Sequence, residues 1–400
     1  MSESTFPLDI VVIGGCGHVG LPLGIAFAHR GLKVALYDTN SAAVATVNSG
    51  ELPFDEPGAA DILREVVGSG LLVAHADPSP ISRAENVVVV IGTPVDEHLN
   101  PDPQAVPNAI MQLADHFRDG QLLVLRSTLY PGVTALVERS IAETGLSIDV
   151  SFCPERIAEG RAMTELFDLP QIVGGRAETA LDRAEKLFRN LTQQTVRLLP
   201  EEAELAKLFT NTWRYIKFAT ANQLYMIAND FGLDFEKIRT ALAYDYPRAA
   251  DMPRAGFSAG PCLFKDTMQL AAFNNNNFML GHSAMMVNEG LPLYVVARLQ
   301  DKMNLRNKTV GILGMSFKAE SDDIRSSLSY KLKRILRFKA GAVLTTDPFV
   351  KNDPELLPLQ EVLDRSDVVM IGTPHKAYAD LEIAVPVIDI WGSMGRGVRV

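Results

Sequence analysis

The segment from residue 9 to residue 38 constrains the fold of this 400-residue chain more than any other stretch. Its first part, DIVVIG, is a continuous β-branched apolar run, which is typical of a buried parallel strand. A GxGxxG motif follows at residues 15–20, then a run with helical periodicity that ends at Gly31, and then a second apolar strand that ends at Asp38. A strand, a glycine-rich turn, a helix and a second strand with a terminal acid together predict a dinucleotide-binding α/β fold.

The residue types of this motif match what a bound pyrophosphate requires. Gly15 permits a tight turn, Gly17 lets the backbone approach the phosphates, and Gly20 lets the helix pack closely on the strand. The start of the helix offers N–H groups and the positive end of the helix dipole. Asp38 lies 18 residues after Gly20, where a carboxylate accepts hydrogen bonds from ribose hydroxyls and repels a 2′-phosphate, so NAD is favoured over NADP. The predicted cofactor contacts are Gly15, Gly17, His18, Val19, Gly20 and Asp38.

Later apolar runs predict further strands of the same sheet, and each run ends in small or polar residues. These runs are 85–94, 121–132 and 146–155. Because the carboxyl ends of parallel strands line the ligand crevice of a doubly wound sheet, Thr93, Ser127 and Thr128 are further candidate cofactor contacts. Their hydroxyls could equally cap turns or helices, and the sequence leaves both roles open.

Residues 201–230 contain neither glycine nor proline and are rich in helix-forming side chains, so they predict one long helix. Polar residues at steps of three and four share one of its faces: Glu204, Lys207, Asn211 and Arg214. Such a face is commonly solvated, but apolar residues cover much of the remaining circumference. If the helix lies between packed layers, Lys207 and Asn211 need polar partners.

The C-terminal part repeats the order of the first domain. The runs KTVGILGMSF, GAVLTTDP and SDVVMIGTPHKAY resemble, in turn, the first strand, the second strand with its terminal acid, and the segment at 85–98, and VPVIDIWG closes the series. Because this repeat lacks GxGxxG, we expect it to bind another nucleotide-like ligand. The predicted fold class is α/β, with two Rossmann-like doubly wound domains joined by a long central helix. The expected domains are 1–200 for NAD, a central helical domain at 201–302, and a C-terminal domain at 303–400.

The bulk properties narrow the class of protein. A net charge of −10 argues against nucleic acid as a partner. Three widely spaced cysteines without a CxxC pair form neither a disulfide framework nor a zinc motif, so we expect no bound metal. The start, MSESTFPLDI, lacks a signal-peptide pattern, and no apolar run reaches membrane-spanning length. We therefore expect a soluble, cytoplasmic protein that binds no membrane.

The stretch AGFSAGPCLFKDTMQL contains Cys262, with Lys265 and Asp266 close behind it. A free cysteine is more often a small buried hydrophobe than a nucleophile. A nearby cation such as Lys265 favours the thiolate, which is the reactive form. The local residues alone leave both roles open.

Seven motifs occur in order between Ile10 and Trp391: GGCGHVGLPL, IGTPVDEH, RSTLYPGVT, FCPERIAEG, EAELAKLFTNTWR, GPCLFKD and GMSFKAESDDIRSS. The ordered set resembles the UDP-glucose/GDP-mannose dehydrogenase family, the NAD-dependent nucleotide-sugar 6-dehydrogenases. The resemblance implies a four-electron oxidation of a sugar C6 hydroxyl to a carboxylate, through a thiohemiacetal and a thioester on Cys262. It also implies that the C-terminal domain binds the UDP-sugar and that the long helix forms a homodimer, to which the central domain contributes.

The resemblance further assigns roles residue by residue. It implies a nucleophile, a lysine–asparagine pair that stabilises oxyanion charge, acids that handle protons, and a hydroxyl that holds water. In that order, these residues are Cys262, Lys207 with Asn211, Asp266 with Glu155 and Glu159, and Thr128. The implied substrate contacts are Glu155, Arg156, Lys207, Asn211, Arg248, Arg254, Phe257, Gly260, Phe317 and Lys318. Two residues join the implied cofactor contacts, Lys265 and Arg325.

The motif that begins at Pro154 bears on the identity of the sugar. Family members that act on N-acetylated UDP-sugars often have PER here, whereas those that act on UDP-glucose or GDP-mannose usually have NPEF and a second acid. This chain combines PER with the second acid, Glu159. The resemblance favours a UDP-N-acetylhexosamine, either UDP-ManNAc or UDP-GlcNAc, with UDP-glucose as the alternative. A two-electron hydroxyacid-type dehydrogenase is a further alternative, for which Cys262 is unnecessary and a mostly helical C-terminal half is expected.

Departures from the family pattern leave the shape of the loop before Cys262 open. Ser258 and Ala259 replace two glycines that are common in the family, so the backbone there is less permissive. Phe264 stands where proline is frequent, and Gln223 follows Asn222 where glutamate is common. None of these changes removes a group that the resemblance makes catalytic.

Overall fold

The computed structural model describes residues 6–93, 101–158, 160–258, 260–395 and 397–400. The chain divides into two compact units, Met1–Thr210 and Asn211–Val400. This division falls inside the long helix, and the three domains expected from the sequence stay a prediction.

A sheet of mostly parallel strands forms the centre of the first unit. Its strands are β1 (Leu8–Ile13), β2 (Val34–Tyr37), β3 (Leu72–His75), β4 (Ala84–Val89), β5 (Leu122–Leu125), β6 (Asp149–Phe152), β7 (Gln171–Gly174) and β8 (Thr195–Leu198). They lie in the order β3-β2-β1-β4-β5-β6-β7-β8. Strands β1 to β6 pair in parallel, β7 pairs antiparallel with β6, and β8 pairs in parallel with β7. The order 3-2-1-4-5-6 is that of the dinucleotide-binding fold, so the predicted Rossmann-like domain is confirmed.

Helices bury both faces of this sheet. They are α1 (Gly20–His29), α2 (Ser41–Asn48), α3 (Ala60–Gly68), α4 (Ala105–Met111), α5 (Val133–Glu143), α6 (Ala162–Asp168) and α7 (Glu178–Phe188). Ile10 and Val12 pack into one apolar cluster with α1, α3, α6 and α7, whereas Val11 and Ile13 pack into another with α4 and α5. Because neighbouring side chains of a strand point to opposite faces, a strand covered on both sides is apolar at every position.

The predicted long helix is present as α8 (Pro200–Asp230), which runs from the first unit into the second. Pro200 occupies the first helical position, where the missing backbone N–H has no helical partner to lose. Glu202 accepts a hydrogen bond from the N–H of Leu199 at 2.8 Å, as the acid of a capping box does. The helix ends just before Gly232, whose φ of 70° is left-handed.

The second unit combines helices with a smaller parallel sheet. Beyond α8, its helices are α9 (Phe235–Ala243), α10 (Pro261–Phe273), α11 (Met279–Lys302), α12 (Leu328–Lys339) and α13 (Leu359–Arg365). Its strands are β9 (Thr309–Leu313), β10 (Ala342–Thr346), β11 (Val368–Ile371) and β12 (Val387–Ile388). They lie in the order β10-β9-β11-β12 and all pair in parallel. This sheet confirms the second Rossmann-like domain and argues against the hydroxyacid-type alternative, for which a mostly helical C-terminal half was expected.

The two sheets repeat each other in the backbone that follows their first strands. Gly14 follows β1 with a φ of 76°, and Gly314 follows β9 with a φ of 92°. A Cβ at Gly14 would lie 1.9 Å from the backbone oxygen of Val90, and one at Gly314 would lie 2.4 Å from that of Thr373. Both positions therefore require glycine for the same two reasons, the left-handed φ and the close approach of a neighbouring chain segment.

Each unit also has an aspartate directly after its second strand. In the second unit, Asp347 accepts hydrogen bonds from the N–H groups of Met315 (2.6 Å) and Ser316 (3.0 Å) and from Nε2 of His375 (3.1 Å). The side chains of Asp347 and His375 are fully buried. Burial alone would raise the pKa of Asp347, but hydrogen bonds from His375 and from the N–H groups of Met315 and Val350 outweigh it and lower this pKa to about 2. An ionised carboxylate thus holds the loop that follows β9.

No helix in the described ranges is long and apolar enough to cross a membrane. In the same part of the chain, no three His, Cys, Asp or Glu side chains form a cluster able to hold a metal ion.

Candidate active site

The glycine-rich turn after β1 leaves space at Gly17. A Cβ there would meet only the Gly14 oxygen, at 3.7 Å, whereas a Cβ at Gly20 would lie 2.3 Å from that same oxygen. Gly20 therefore packs the start of α1 onto the turn, and Gly17 leaves room for a phosphate. The left-handed residue is Gly14 rather than Gly15, and a Cβ at Gly15 would lie 2.7 Å from that of Leu36. The tight turn expected at Gly15 is thus made one residue earlier, and Gly15 is needed for packing.

The N-terminus of α1 has no side-chain cap. Val19 is its N-cap residue and makes no capping hydrogen bond, and the first turn contains no acidic residue. The ring of His18 stacks on that of Phe54, with centroids 4.0 Å apart. A helix N-terminus without a side-chain cap, at the positive end of the helix dipole, suits an anion such as the pyrophosphate of a dinucleotide.

Asp38 follows β2 beside this turn. Its two carboxylate oxygens accept hydrogen bonds from the N–H groups of Cys16 and Asn40, both at 3.0 Å. Burial and the charge of Asp38 raise the pKa of the Cys16 thiol to about 12, so Cys16 stays protonated and unreactive. The Asp38 carboxylate is therefore oriented by backbone N–H groups.

Two hydroxyl side chains follow β5, and they differ in their hydrogen bonding. The hydroxyl of Ser127 donates to the oxygen of Ile91 at 2.8 Å and accepts from the N–H of the same residue at 2.9 Å. Ser127 therefore joins the two strand ends, which is the cap-like role left open by the sequence. Thr128 is half-buried, and its hydroxyl has no hydrogen-bond partner within the described ranges. Thr93 is half-buried as well.

Arg126, which the sequence reasoning missed, binds the predicted catalytic acid Glu155. Nη2 of Arg126 lies 2.5 Å from Oε2 of Glu155, and the two side chains are only 2% and 14% exposed. Arg126 also donates to the oxygen of Cys153 at 3.1 Å and to Oε1 of Gln171 at 3.0 Å. The other oxygen of Glu155 accepts from the N–H of Ile157 at 2.8 Å. Protein groups thus hold this carboxylate in place without a ligand.

The neighbours of Glu155 complete this loop. The guanidinium of Arg156 donates to the oxygen of Pro170, and burial lowers its pKa. Cys153 is fully buried, and burial raises the pKa of its thiol to about 12, so it stays unreactive. The second predicted acid, Glu159, lies outside the described residues.

One face of α8 buries two ionisable side chains one turn apart. Glu204 is fully buried and accepts hydrogen bonds from the N–H of Gly132 (2.6 Å), the N–H of Thr134 (2.8 Å) and the Thr134 hydroxyl (2.6 Å). Lys207 is 8% exposed and forms neither an ion pair nor a hydrogen bond within the described ranges. Burying an ammonium group without an anion is costly. Lys207 is therefore suited to hold a negatively charged group of a ligand.

In the second unit, Asn211 and Asp266 are directly bonded. Nδ2 of Asn211 donates to Oδ2 of Asp266 at 2.5 Å, and both side chains are buried. Asp266 lies on α10 four residues after Cys262, so the two share one face of that helix. The structure therefore brings three of the predicted catalytic residues together.

Cys262 lies in the first turn of α10, directly after Pro261 at the first helical position. It is exposed, in contrast to the buried Cys16 and Cys153. The N-terminus of a helix favours the thiolate form of a cysteine. Lys265 follows three residues later and is half-buried. Exposure and position both fit a nucleophile rather than a buried hydrophobe.

Two predicted substrate contacts touch each other beside Cys262. Gly260 is the N-cap residue of α10 and has a φ of 112°. A Cβ on Gly260 would lie 2.8 Å from the ring of Phe317. Phe257 is buried and meets the ring of Trp391 edge to face, with centroids 6.5 Å apart. The loop in front of the nucleophile thus packs tightly against aromatic rings.

Asn222 and Asn288 support this loop from behind, and sequence reasoning missed their role. Gly256 donates its N–H to Oδ1 of Asn222 at 2.9 Å, and its oxygen accepts from Nδ2 of Asn222 at 3.1 Å. The same Nδ2 donates to Oδ1 of Asn288 at 2.9 Å, while Nδ2 of Asn288 donates to the oxygen of Tyr215 at 3.1 Å. A polar residue amid apolar neighbours on α8 was the available signal, because a buried amide requires partners.

The two arginines predicted to reach the nucleotide sugar lie at the surface. Arg248 is exposed and donates to the hydroxyl of Tyr246 at 3.2 Å. Arg254 is 54% exposed and pairs with Glu236 at 3.3 Å. Neither arginine is fixed by buried partners, so any contact with a nucleotide sugar would form on binding.

The loop after β9 carries the remaining predicted contacts. Lys318 is half-buried, and its backbone oxygen accepts from the hydroxyl of Ser316 at 2.8 Å. The guanidinium of Arg325 forms a two-pronged pair with Asp323, with Nε and Nη2 at 2.8 and 2.5 Å from Oδ2. Asp323 therefore orients the Arg325 side chain.

Three domain models of one family match this chain in succession. The NAD binding domain of the UDP-glucose/GDP-mannose dehydrogenase family matches residues 8–192, the central domain matches 201–290, and the UDP binding domain matches 311–392. The chain belongs to the UDP-glucose/GDP-mannose dehydrogenase family. It is accordingly an NAD-dependent nucleotide-sugar dehydrogenase, and the predictions of enzyme class and cofactor are confirmed.

Members of the family match this dehydrogenase over most of their length. The chain is 30% identical to a UDP-N-acetyl-D-mannosamine dehydrogenase of Pyrococcus horikoshii, over 97% of this chain and 93% of that protein. It is 28% identical to an NDP-N-acetyl-D-galactosaminuronic acid dehydrogenase of Ralstonia nicotianae, over 93% and 92% of the two chains. The structure of a UDP-glucose dehydrogenase from Pyrobaculum islandicum is similar with a TM-score of 0.90 at 26% identity, over 99% and 97% of the chains.

Proposed function

We propose that this dehydrogenase oxidises the C6 hydroxyl of a UDP-N-acetylhexosamine, UDP-ManNAc or UDP-GlcNAc, to a uronate with two equivalents of NAD+. The relatives from P. horikoshii and R. nicotianae support an N-acetylated sugar, since both are named for one. The proposed chemistry rests on one observation: Asn211 is hydrogen-bonded to Asp266, and Asp266 lies one helical turn after Cys262 on α10. These three groups supply an oxyanion donor, an acid and a nucleophile.

The first oxidation removes a hydride from C6 and a proton from its oxygen. NAD, when bound, accepts the hydride in each of the two oxidation steps. We assign the C6 oxygen to Lys207 and Asn211, which lie one turn apart on α8. A buried ammonium group and an amide N–H stabilise the negative charge that develops on this oxygen. One N–H of the Asn211 amide donates to Asp266, and the other, which has no partner among the described residues, can meet the substrate.

Covalent capture by Cys262 links the two oxidations. The sulfur adds to the aldehyde carbon, and the carbonyl electron pair moves to oxygen to give a thiohemiacetal. Loss of a second hydride from C6 gives a thioester, which water attacks as the C–S bond breaks and the thiolate leaves. The balance is one alcohol, one water and two NAD+ giving one carboxylate, two NADH and three protons. We assign the proton from the attacking water to Asp266, on the same helix face as Cys262.

The other predicted catalytic residues receive supporting roles in this proposal. Thr128 has a hydroxyl without a protein partner in the described ranges, so we assign it to binding water or substrate, together with Glu159. Glu155 is paired with Arg126, so we assign it to shaping the loop that presents Arg156.

UDP-glucose is the alternative substrate, and the likeness to the UDP-glucose dehydrogenase of P. islandicum supports it. The purified protein is incubated with NAD+ and, separately, with UDP-GlcNAc, UDP-ManNAc, UDP-GalNAc, UDP-glucose and GDP-mannose. The amount of NADH per sugar nucleotide and the mass of the product are measured. Two NADH per sugar nucleotide and an N-acetylated uronate would support the proposal. A preference for UDP-glucose would instead make UDP-glucose the substrate. One NADH per sugar nucleotide together with a ketone product would refute the four-electron reaction.

The covalent step is tested at Cys262. Cys262→Ser should lower kcat at least about 100-fold while NAD+ still binds, because a serine hydroxyl is not ionised near neutral pH. Iodoacetamide should modify Cys262 in the native protein and leave Cys16 and Cys153 intact, since burial raises the pKa of both thiols to about 12. In Cys262→Ser the same reagent should modify neither buried thiol. Full activity after complete modification of Cys262 would refute the covalent role.

We also propose that the enzyme is a homodimer through an apolar stripe on α8. Trp213, Leu224, Ile227 and Phe231 are all exposed, with Phe231 at 79%. Leu224 and Ile227 lie 11 and 14 residues after Trp213, which puts the three on one side of the helix, and Phe231 follows directly after the end of α8. An exposed stripe of this kind is typical of a protein–protein contact.

A further inference from the structure

Glu204 supports the start of α5 from a different helix. Gly132, the N-cap residue of α5, has no side chain to offer, and the first turn of α5 contains no acidic residue. The Glu204 carboxylate supplies both missing elements. It accepts hydrogen bonds from the N–H groups of Gly132 and Thr134 and from the Thr134 hydroxyl. It also brings a negative charge to the positive end of the helix dipole.

The segment between β5 and α5 is anchored at both ends. At its beginning, Ser127 is bonded twice to Ile91. At its end, Gly132 has a φ of 97° and no heavy atom within 4 Å of where a Cβ would be. The hydrogen bonds that Gly132 and Thr134 donate to Glu204 hold this end of the segment. Thr128 lies between the two anchors, with a hydroxyl that has no protein partner in the described ranges.

Glu204 also lies one helical turn before Lys207 on the same face of α8. Both side chains are buried. Because one turn of helix is rigid, the hydrogen bonds that Glu204 accepts from Gly132 and Thr134 fix the end of the segment between β5 and α5 relative to the base of the Lys207 side chain. Burial raises the pKa of Glu204, against the opposing effect of its three hydrogen bonds. Burying the Glu204 carboxylate costs free energy, whereas an exposed residue could cap α5 without that cost. We therefore infer that Glu204 does more than cap α5.

We propose that Glu204 is a positioning residue for the oxidation, which sets the Thr128 segment against the Lys207 turn of α8. The proposal rests on the proposed roles of Lys207 and Thr128. A merely structural cap would stabilise the fold without changing the rate of the folded enzyme. The two roles therefore differ in kcat rather than in unfolding temperature.

The test compares Glu204→Gln, Thr134→Val and Glu202→Gln. The first substitution keeps the length of the side chain but turns an amide donor toward a backbone N–H. Thr134→Val removes only the hydroxyl bond. Glu202→Gln is the matched control, because Glu202 is exposed on the same helix and accepts only from Leu199 within the described ranges. The substrate that wild type oxidises is used, and kcat, both KM values, NADH binding by fluorescence and the unfolding temperature are measured.

For Glu204→Gln we expect kcat to fall about 10- to 100-fold with little change in either KM, since small misplacements of positioned groups have effects of this size. In Thr134→Val, kcat should fall by less than in Glu204→Gln, and Glu202→Gln should keep the wild-type kcat. A lower unfolding temperature with wild-type kcat in Glu204→Gln would overturn the proposal and leave only a structural cap.

If wild type oxidises no sugar nucleotide, the proposed function has failed. Hydrogen–deuterium exchange then tests whether Glu204 anchors residues 128–134. Faster exchange at residues 128–134 in Glu204→Gln, with unchanged exchange there in Glu202→Gln, would support the anchoring of the segment. Unchanged exchange in both variants would overturn it.

Discussion

The side-chain amide of Asn222 binds the backbone of Gly256 in the way that a neighbouring strand would. It gives an acceptor to the N–H and a donor to the oxygen of the same residue. Both residues are buried, and Asn222 is 1% exposed. A buried backbone group without a partner costs free energy, so this amide replaces the sheet ladder that the loop lacks. The loop before Cys262 is therefore held by a side chain rather than by regular secondary structure.

Exchanging this amide for a carboxylate tests its role. In Asn222→Asp, one carboxylate oxygen faces two acceptors, the Gly256 oxygen and Oδ1 of Asn288, and two hydrogen bonds are lost. We expect the free energy of unfolding to fall by at least about 2 kcal/mol and kcat to fall with it. Urea denaturation and steady-state kinetics measure the two effects.

The neighbouring residue supplies the control for this variant. Gln223→Glu makes the same chemical change at an exposed position of α8. It should leave both stability and kcat close to wild type, because surface substitutions usually have small effects. Equal effects of the two variants would show that the added charge matters and the buried bonds do not.

At the scale of elements, the strands and helices predicted from the sequence are those whose own residues show a clear pattern of apolar or helix-forming side chains. β1 is apolar at nearly every position, and α8 has thirty-one residues without an internal breaker, so each carries its own signal. β7 and β8 have four residues each, and β8 is only partly buried, so they were not predicted. Strands this short have little pattern of their own and form because neighbouring strands pair with them.

The parts of the candidate site that the sequence missed depend on distant partners. Arg126 and Glu155 are 29 residues apart, and Asn222 and Gly256 are 34 apart. Motifs identified the reactive groups Cys262 and Asp266 because they are close in the chain. No spacing rule connects an arginine after one strand to an acid after the next, since only the folded sheet brings them together.

Gly260 tests whether the start of α10 needs its left-handed backbone. Gly260→Ala forces a Cβ into a φ of 112° and to within 2.8 Å of the Phe317 ring. We expect a loss of about 1–3 kcal/mol in the free energy of unfolding and a large loss of activity. Thermal denaturation and the rate of NADH formation are the measurements.

Gly290 of α11 provides the contrasting variant. A Cβ there would meet no heavy atom within 4 Å, and its φ is not left-handed. Gly290→Ala should therefore stabilise the protein by about 0.5–1 kcal/mol, since alanine favours a helix interior. A destabilised Gly290→Ala together with an unaffected Gly260→Ala would contradict this account of the loop.

The loop after β9 should make stability depend on acid through Asp347. Its pKa is lowered from 3.8 to about 2 in the folded protein. The stabilisation is present above the unfolded value and is lost as pH falls through the folded value, between about pH 4 and pH 2. A shift of this size corresponds to about 2 kcal/mol. Urea denaturation of wild type and Asp347→Asn from pH 6 to pH 2 measures it, and the variant should show the weaker pH dependence. Parallel curves for the two proteins would rule out this contribution.

At the scale of the whole molecule, the exposed stripe of α8 predicts the assembly state. A homodimer should have twice the 43.7 kDa mass of one chain in size-exclusion chromatography with light scattering. Ile227→Glu puts a charge in the middle of the stripe and should shift the protein to monomers, because a buried unpaired charge is strongly unfavourable. Phe338→Glu is the control, since Phe338 is 90% exposed on α12 and lies outside the stripe. A dimer that persists in Ile227→Glu, or one lost in Phe338→Glu, would contradict the assignment of the interface.

The buried Asp347 also bears on which pentose the second unit can recognise. In a Rossmann fold the acid after the second strand reads the 2′-hydroxyl of a ribose. Asp347 occupies that position within the matched UDP binding domain, but its side chain is fully buried and bonded to His375. It cannot accept a hydrogen bond from a nucleotide. At this position, a deoxyuridine nucleotide should therefore lose nothing relative to its ribose counterpart, whereas Asp38, the acid after β2, is only half-buried.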